Sequence, residues 1–146
     1  MLKASRIIET GVYVADVERS AAFYEGLFRF QRLFADDRLV ALDAGGQSVL
    51  LLFRRGGSTS AVPFGGGFLP PHDGSGTMHF AFGIERVEVE AWDEELARRG
   101  IPIETKIRWP RGGDCLYFRD PPGHLVELMT PGAWATYWGA QARRLP

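Results

Sequence analysis

The chain has 146 residues, 45% hydrophobic and 24% charged, enough for a well-formed core without covalent staples. Seventeen basic against eighteen acidic residues leave a formal net charge of −1, so neither nucleic acid nor a membrane surface is a partner that bulk charge would recruit. Cys115, the single cysteine, excludes an intrachain disulfide, no apolar run approaches membrane-spanning length, and the start "MLKASRIIETGVYV" lacks a secretory h-region, so the expectation is a soluble cytoplasmic protein acting on a small molecule.

In chain order, "RIIETGVYVAD" alternates as a strand, and "VERSAAFYEGLF" places Val17, Ala21, Tyr24 and Leu27 on a helical period widened by Phe23 and Phe28. Three short strands follow in "FQRLFA", "LVALDA" and "SVLLLF", with the turn signals "DDR" and "GGQ" between them, giving a βαβββ order over about residues 6–54. Residues 55–76 are rich in Gly, Ser and Pro and have no apolar period. They are expected to be a connecting loop, and one of that length is more often a lid or binding segment than slack. A second βαβββ set spans about 77–130: strand "MHFAFGI", a helix within "VEVEAWDEELARRG" with Val89, Trp92 and Leu96 as its stripe, then "IPIETKIRW", "DCLYFR" and "HLVELM". The tail is expected to form a last helix over about 132–142, docking Trp134, Tyr137 and Trp138 on the body of a single domain, residues 1–146.

A shift of seventy residues superposes "ETGVYVADVERSAA" from Glu9 on "HFAFGIERVEVEAW" from His79, and a shift of seventy-seven superposes "GQSVLLLF" from Gly46 on "GHLVELMT" from Gly123. Internal duplication is the simplest account. Glu127 is anomalous within it. Period-2 geometry sets this residue on a strand face with Leu125 and Met129, where an unpaired carboxylate costs several kcal/mol. It must be exposed, protonated, matched by a base such as Arg108 or Arg119, or bound to a cation.

The stretch "TGVYVADVERSAAFYEGLF" is similar to the opening βα unit of the vicinal oxygen chelate superfamily, and "YFRDPPGHLVELMT" resembles its closing strand pair. The resemblance runs from about residue 6 to residue 134. That superfamily includes glyoxalase I, extradiol ring-cleaving dioxygenases, methylmalonyl-CoA epimerase, fosfomycin-resistance enzymes and metal-free bleomycin-binding proteins. The resemblance implies an α+β fold of two tandem βαβββ modules, curved into a cup-shaped, incompletely closed mixed β-barrel with flanking helices around one divalent metal ion. Superfamily ligands come from the first and last strands of each module, which implies Glu9, His79 and Glu127 as metal ligands and Leu50 at the fourth place. Glu9 stands where the superfamily more often has His or Gln.

The strand faces read independently in the same direction. Glu9 shares a face with Gly11 and Tyr13, opposite Thr10, Val12 and Val14; His79 shares one with Ala81 and Gly83, opposite Met78, Phe80 and Phe82. One His and two carboxylates suit Fe²⁺, Mn²⁺, Zn²⁺ or Ni²⁺. Tyr13 is the acid/base candidate, and His72 and Tyr117 are substrate-binding candidates. Each residue also has a plainer reading: His79 as a core histidine, Glu9 at a sheet edge facing water, His72 beside Asp73 as turn chemistry, His124 after Gly123 as a surface turn residue, and the tyrosines as packing. Two function classes follow. One is a metal-dependent ring-cleaving dioxygenase or lyase/isomerase acting on a small vicinal-oxygen substrate; the other is a metal-free drug-binding protein of the bleomycin-resistance type. A homodimer is compatible with the resemblance.

Overall fold

The computed structural model describes residues 1–136. It divides between Gly76 and Thr77 into two compact units, each built on a four-stranded mixed sheet. The architecture is α+β, and each unit carries one βαβββ module.

In the first unit, strand β1 (Glu9–Val14) leads to helix α1 (Val17–Phe28), then β2 (Gln31–Ala35), β3 (Leu39–Ala44) and β4 (Ser48–Arg54). Helix α1 starts where Asp16 accepts a hydrogen bond from the Arg19 amide at 2.9 Å, satisfying one of the orphan donors of the first turn. It ends at Arg29, which takes the left-handed conformation (φ 60°) usually left to glycine. Ser20, Ala21, Tyr24 and Leu27 form its buried stripe. Val17, expected in that stripe, is only half-buried at the first turn, and Ser20 takes its place. The sheet order is β1-β4-β3-β2, with β1 parallel to β4 and the other pairs antiparallel. Val12, Val14, Leu42, Leu50 and Leu52 are all at most 2% exposed. Full burial of each such side chain contributes about 1.5–3 kcal/mol.

The second unit repeats the scheme: β7 (His79–Gly83), a 3₁₀ turn (Arg86–Glu88) running into α2 (Val89–Arg98), then β8 (Ile103–Arg108), β9 (Asp114–Arg119) and β10 (Leu125–Met129). The sheet order is β7-β10-β9-β8, with β7 parallel to β10. Each module also carries a register irregularity in the strand after its helix, between Arg32 and Phe34 in one and between Ile103 and Thr105 in the other. A bulge kept at the same place in both halves is what a duplicated module would retain. Leu96 is the buried anchor of α2, with Val89 and Trp92 half-buried beside it.

Three expectations need correction. Residues 55–76 are not loop throughout, because Val62–Phe64 (β5) and Gly67–Leu69 (β6) pair as a hairpin. Its two-residue turn is Gly65-Gly66, both at positive φ (57° and 83°), the arrangement that matches strand twist and that glycine adopts at no steric cost. The segment was hard to read because a three-residue strand is too short to show a period. Residues 132–136 of the expected C-terminal helix are turn and bend, and the rest of it, with Tyr137 and Trp138, lies outside the described residues. Trp134 is 60% exposed and meets Trp109 at 6.2 Å between ring centroids.

The third correction concerns Leu50. Glu9 pairs with Val49 and Gly11 with Leu51, whereas His79 pairs with Leu125 and Ala81 with Glu127. With Glu9 and His79 equivalent, the counterpart of Glu127 is therefore Leu51. A one-residue slip moves a side chain to the other face of a strand, and Leu50 faces the buried side with Leu52. The fourth place is apolar either way.

Candidate functional site

The second unit answers the question that Glu127 poses. Its carboxylate is 3% exposed, between Val126 and Leu128 at 0%. Neither arginine named as a partner serves it, since Arg108 binds Asp114 at 2.8 Å and Arg119 binds Glu104 at 2.9 Å. Instead Oε2 lies 3.4 Å from His79 Nε2, and Oε1 is buried with no hydrogen-bond partner. His79 is no core histidine, because its side chain is 50% exposed. Its Nδ1 lies 3.1 Å from the Leu125 carbonyl oxygen, which can only accept, so Nδ1 carries a proton. In the neutral ring, Nε2 then turns a lone pair toward a carboxylate, and a proton or a metal ion between them relieves the repulsion.

This arrangement fits a divalent ion. A histidine ligand characteristically donates its other N–H to a backbone carbonyl, which fixes tautomer and ring orientation. Two ligand atoms, each about 2.1 Å from one ion, stand apart by nearly the separation seen here. An ion would also give Oε1 the partner it lacks.

The neighbours of this pair follow from register. Tyr117 pairs with Glu127 and Cys115 with Met129, so both side chains share the carboxylate's face. Tyr117 stacks on His79 at 6.2 Å between centroids. Burial first, and then hydrogen bonding to Glu127, push the Tyr117 hydroxyl above its ordinary range and the Cys115 thiol up to about 12. Both remain protonated donors at neutral pH. Cys115 accepts from Trp109 Nε1 at 3.1 Å.

His124 departs from the sequence reading. It is 0% exposed rather than a surface turn residue, and its Nδ1 accepts the Met78 amide at 2.9 Å. Its own amide donates to Asp120 Oδ1 at 2.6 Å, and the Leu125 amide donates to the Met78 carbonyl at 2.8 Å. The turn "DPPGH" is thus folded back onto the residue preceding His79. Met78 is held from both backbone groups.

The first unit gathers the remaining candidates. Glu9 opens edge strand β1 and is exposed, as the sheet-edge reading has it. Tyr13 Oη and His72 Nδ1 are 2.7 Å apart, and both rings pack on Phe53 at 5.6 Å and 4.6 Å between centroids. A cavity of about 280 Å³ is lined by Glu9, Leu51, Phe53 and His72, with Ser58 and Leu69 among the residues added by the 55–76 segment. The chain therefore groups His79, Glu127 and Tyr117 in one unit and Glu9, Tyr13 and His72 in the other. Among the described residues, no three His, Cys, Asp or Glu side chains cluster to hold a metal ion. Sequence reasoning missed Ser58 and the roles of Cys115 and His124. Alternation in "DCLYFR" could have put Cys115 on Tyr117's face; nothing local signals that His124 is buried.

Two βαβββ modules of matching order, each presenting polar side chains on a strand face, define a duplicated α+β protein. The chain belongs to the glyoxalase/bleomycin resistance protein/dioxygenase superfamily, whose family model matches residues 6–128. It is 31% identical to the crystal structure of a lactoylglutathione lyase from Agrobacterium tumefaciens, covering 90% of this chain and 98% of that one with a TM-score of 0.81. It is 27% identical over 118 residues to the metallothiol transferase FosB of Staphylococcus saprophyticus, covering 80% of this chain and 71% of FosB. It is also 30% identical over 125 residues to the catechol-2,3-dioxygenase of Bacillus subtilis, of which it spans 41%.

Proposed function

We propose that the protein is a divalent-metal-dependent enzyme acting on a small substrate through vicinal oxygens, with His79, Glu127 and Glu9 as the metal ligands. The observation that carries this reading is the buried, partnerless Oε1 of Glu127 beside an imidazole held by the Leu125 carbonyl. Glu9 joins the pair because its place in the first module is that of His79 in the second. Two carboxylates and one imidazole suit Fe²⁺, Mn²⁺, Zn²⁺ or Ni²⁺. When bound, such an ion stabilises negative charge on substrate oxygens and, if it is iron or manganese, supports oxygen chemistry.

The chain's own residues do the rest. Leu51 has no donor atom to offer at the fourth place, which would leave positions on a bound ion for substrate oxygens. Tyr117 keeps its proton beside Glu127 and acts as a hydrogen-bond donor. Tyr13 and His72 are hydrogen-bonded at 2.7 Å, and Tyr13 is the proposed acid/base group of the first unit. A homodimer belongs to the same proposal, supported by the family, and a cytoplasmic location belongs to it as well.

The relatives' names span a thiol transferase, a lyase and a catechol dioxygenase, and one experiment separates these reaction types. Oxygen uptake by Fe²⁺-loaded protein on a panel of catechols is compared with anaerobic turnover of epoxides and hemithioacetals by Mn²⁺- and Zn²⁺-loaded protein in the presence of thiol. Turnover in either arm that is lost in Glu127→Ala supports the enzyme and assigns its class. Tight binding of a drug-like molecule by metal-free protein, with no turnover in either arm, replaces it with the binding-protein reading.

A further inference from the structure

The cavity of the first unit offers more than a place for Glu9. Its wall is apolar: Leu39, Leu51 and Phe53 come from the sheet, and Val62, Leu69 and Pro70 from the 55–76 segment. At about 280 Å³ it sits just under the ~300–1,000 Å³ range of pockets for drug-sized ligands, which suits a ring or a short branched chain. The wall is anchored at its neck. Arg55 donates to the carbonyls of Tyr13 (3.3 Å) and Gly76 (3.1 Å), Asp73 accepts from the Gly56 amide at 3.1 Å, and the His72 amide donates to the Ser58 carbonyl at 2.9 Å.

Charge and hydrogen bonding narrow the class of ligand. Arg38 lines the cavity, yet its Nη2 is committed to Asp36 Oδ2 at 3.0 Å. Glu9 is the other charged group there. An anionic ligand would meet a carboxylate and an already matched guanidinium. Ser58 is 3% exposed, and its hydroxyl is buried without a partner. Native interiors rarely leave such a group unsatisfied. His72 uses Nδ1 on Tyr13 and keeps Nε2 for another contact.

We propose that this cavity binds an uncharged aryl or short alkyl group bearing a hydroxyl, whose oxygen is read by Ser58 and His72. This names a substrate class for the enzyme proposed above, and it rests on that reading only in taking the occupant to be part of a substrate. The test uses chelator-treated full-length protein, so it reads the cavity alone, and metal stoichiometry measured on parallel samples reads the ligand set separately. Binding of 4-fluorophenol and 4-fluorobenzoate is followed by fluorine NMR, with thermal unfolding as the folding check. The expected result is a Kd for the phenol below ~1 mM and at least about tenfold tighter than for the benzoate. Ser58→Ala should weaken phenol binding about tenfold, Ser58→Thr should restore most of it, and Leu51→Arg should reverse the preference. Benzoate binding as tightly as the phenol, or a phenol affinity indifferent to Ser58→Ala in a folded protein, overturns the proposal whatever the metal result. Loss of stoichiometric metal with phenol binding intact counts against the ligand set alone.

Discussion

Glu127 and His124 show how single buried polar groups organise the second unit. The His124 ring accepts the Met78 amide, so His124→Ala strands that amide and should destabilise the protein by about 1–3 kcal/mol in chemical denaturation. His124→Asn, whose side-chain oxygen can replace Nδ1 as acceptor, should recover most of the loss. Because Met78 precedes His79, the Ala variant should also weaken metal binding more than its stability loss alone explains. Unchanged affinity would reduce His124 to a packing role. Cys115 gives a pH prediction with a defined sign. Burial first, then Glu127, raise its thiol from 9.0 in the unfolded chain to about 12 in the fold, while Trp109 opposes the shift. The unfolded chain loses that proton first, so this contribution is complete below pH 9 and is lost as pH climbs toward about 12. Tyr117 shifts in the same direction, so alkaline unfolding midpoints should fall in the wild type and fall less in Cys115→Ala. A wild-type profile flat over that range would contradict the burial of both groups.

At the scale of elements, the two modules were legible because their strands and helices are long enough to show a period. Alternation in "ETGVYV" sends Val12 and Val14 into the core and leaves Glu9 and Gly11 outside, as the structure has it. The one-residue error at Leu50 arose where the run "VLLLF" is apolar on both faces, so hydrophobic pattern could not fix its register; only the ladder to β1 does. Length marks the 55–76 segment as a candidate binding segment, but its hairpin is not legible, because Gly65-Gly66 joins strands of three residues. Its neck gives a test. The backbone amides of Gly56 and Gly74 hold the Asp73 carboxyl below its ordinary range, so Asp73→Ala should raise hydrogen exchange at residues 56–74 while leaving β1 and β4 protected. Substrate or 4-fluorophenol should slow exchange at residues 62–70. A ligand that saturates without altering exchange there would make the hairpin a bystander.

For the whole molecule, the duplicated βαβββ order was readable from the shift that superposes Glu9 on His79, and both residues do open the first strand of their module. The candidate site was readable only in part. The His79–Glu127 pair follows from strand parity, but the Leu125 carbonyl that fixes the His79 tautomer and the tertiary fold-back that buries His124 are products of the sheet, invisible in a linear pattern. The central proposal is that Glu9, His79 and Glu127 are the ligands of one divalent ion per chain, and metal stoichiometry tests it most directly. Protein purified without added metal, then titrated with Mn²⁺ or Zn²⁺ and measured by elemental analysis, should bind one ion per chain, while folded Glu9→Ala, His79→Ala and Glu127→Ala should each fall well below that. Full occupancy in Glu127→Ala, or no stoichiometric metal in the unmodified protein, would contradict the account.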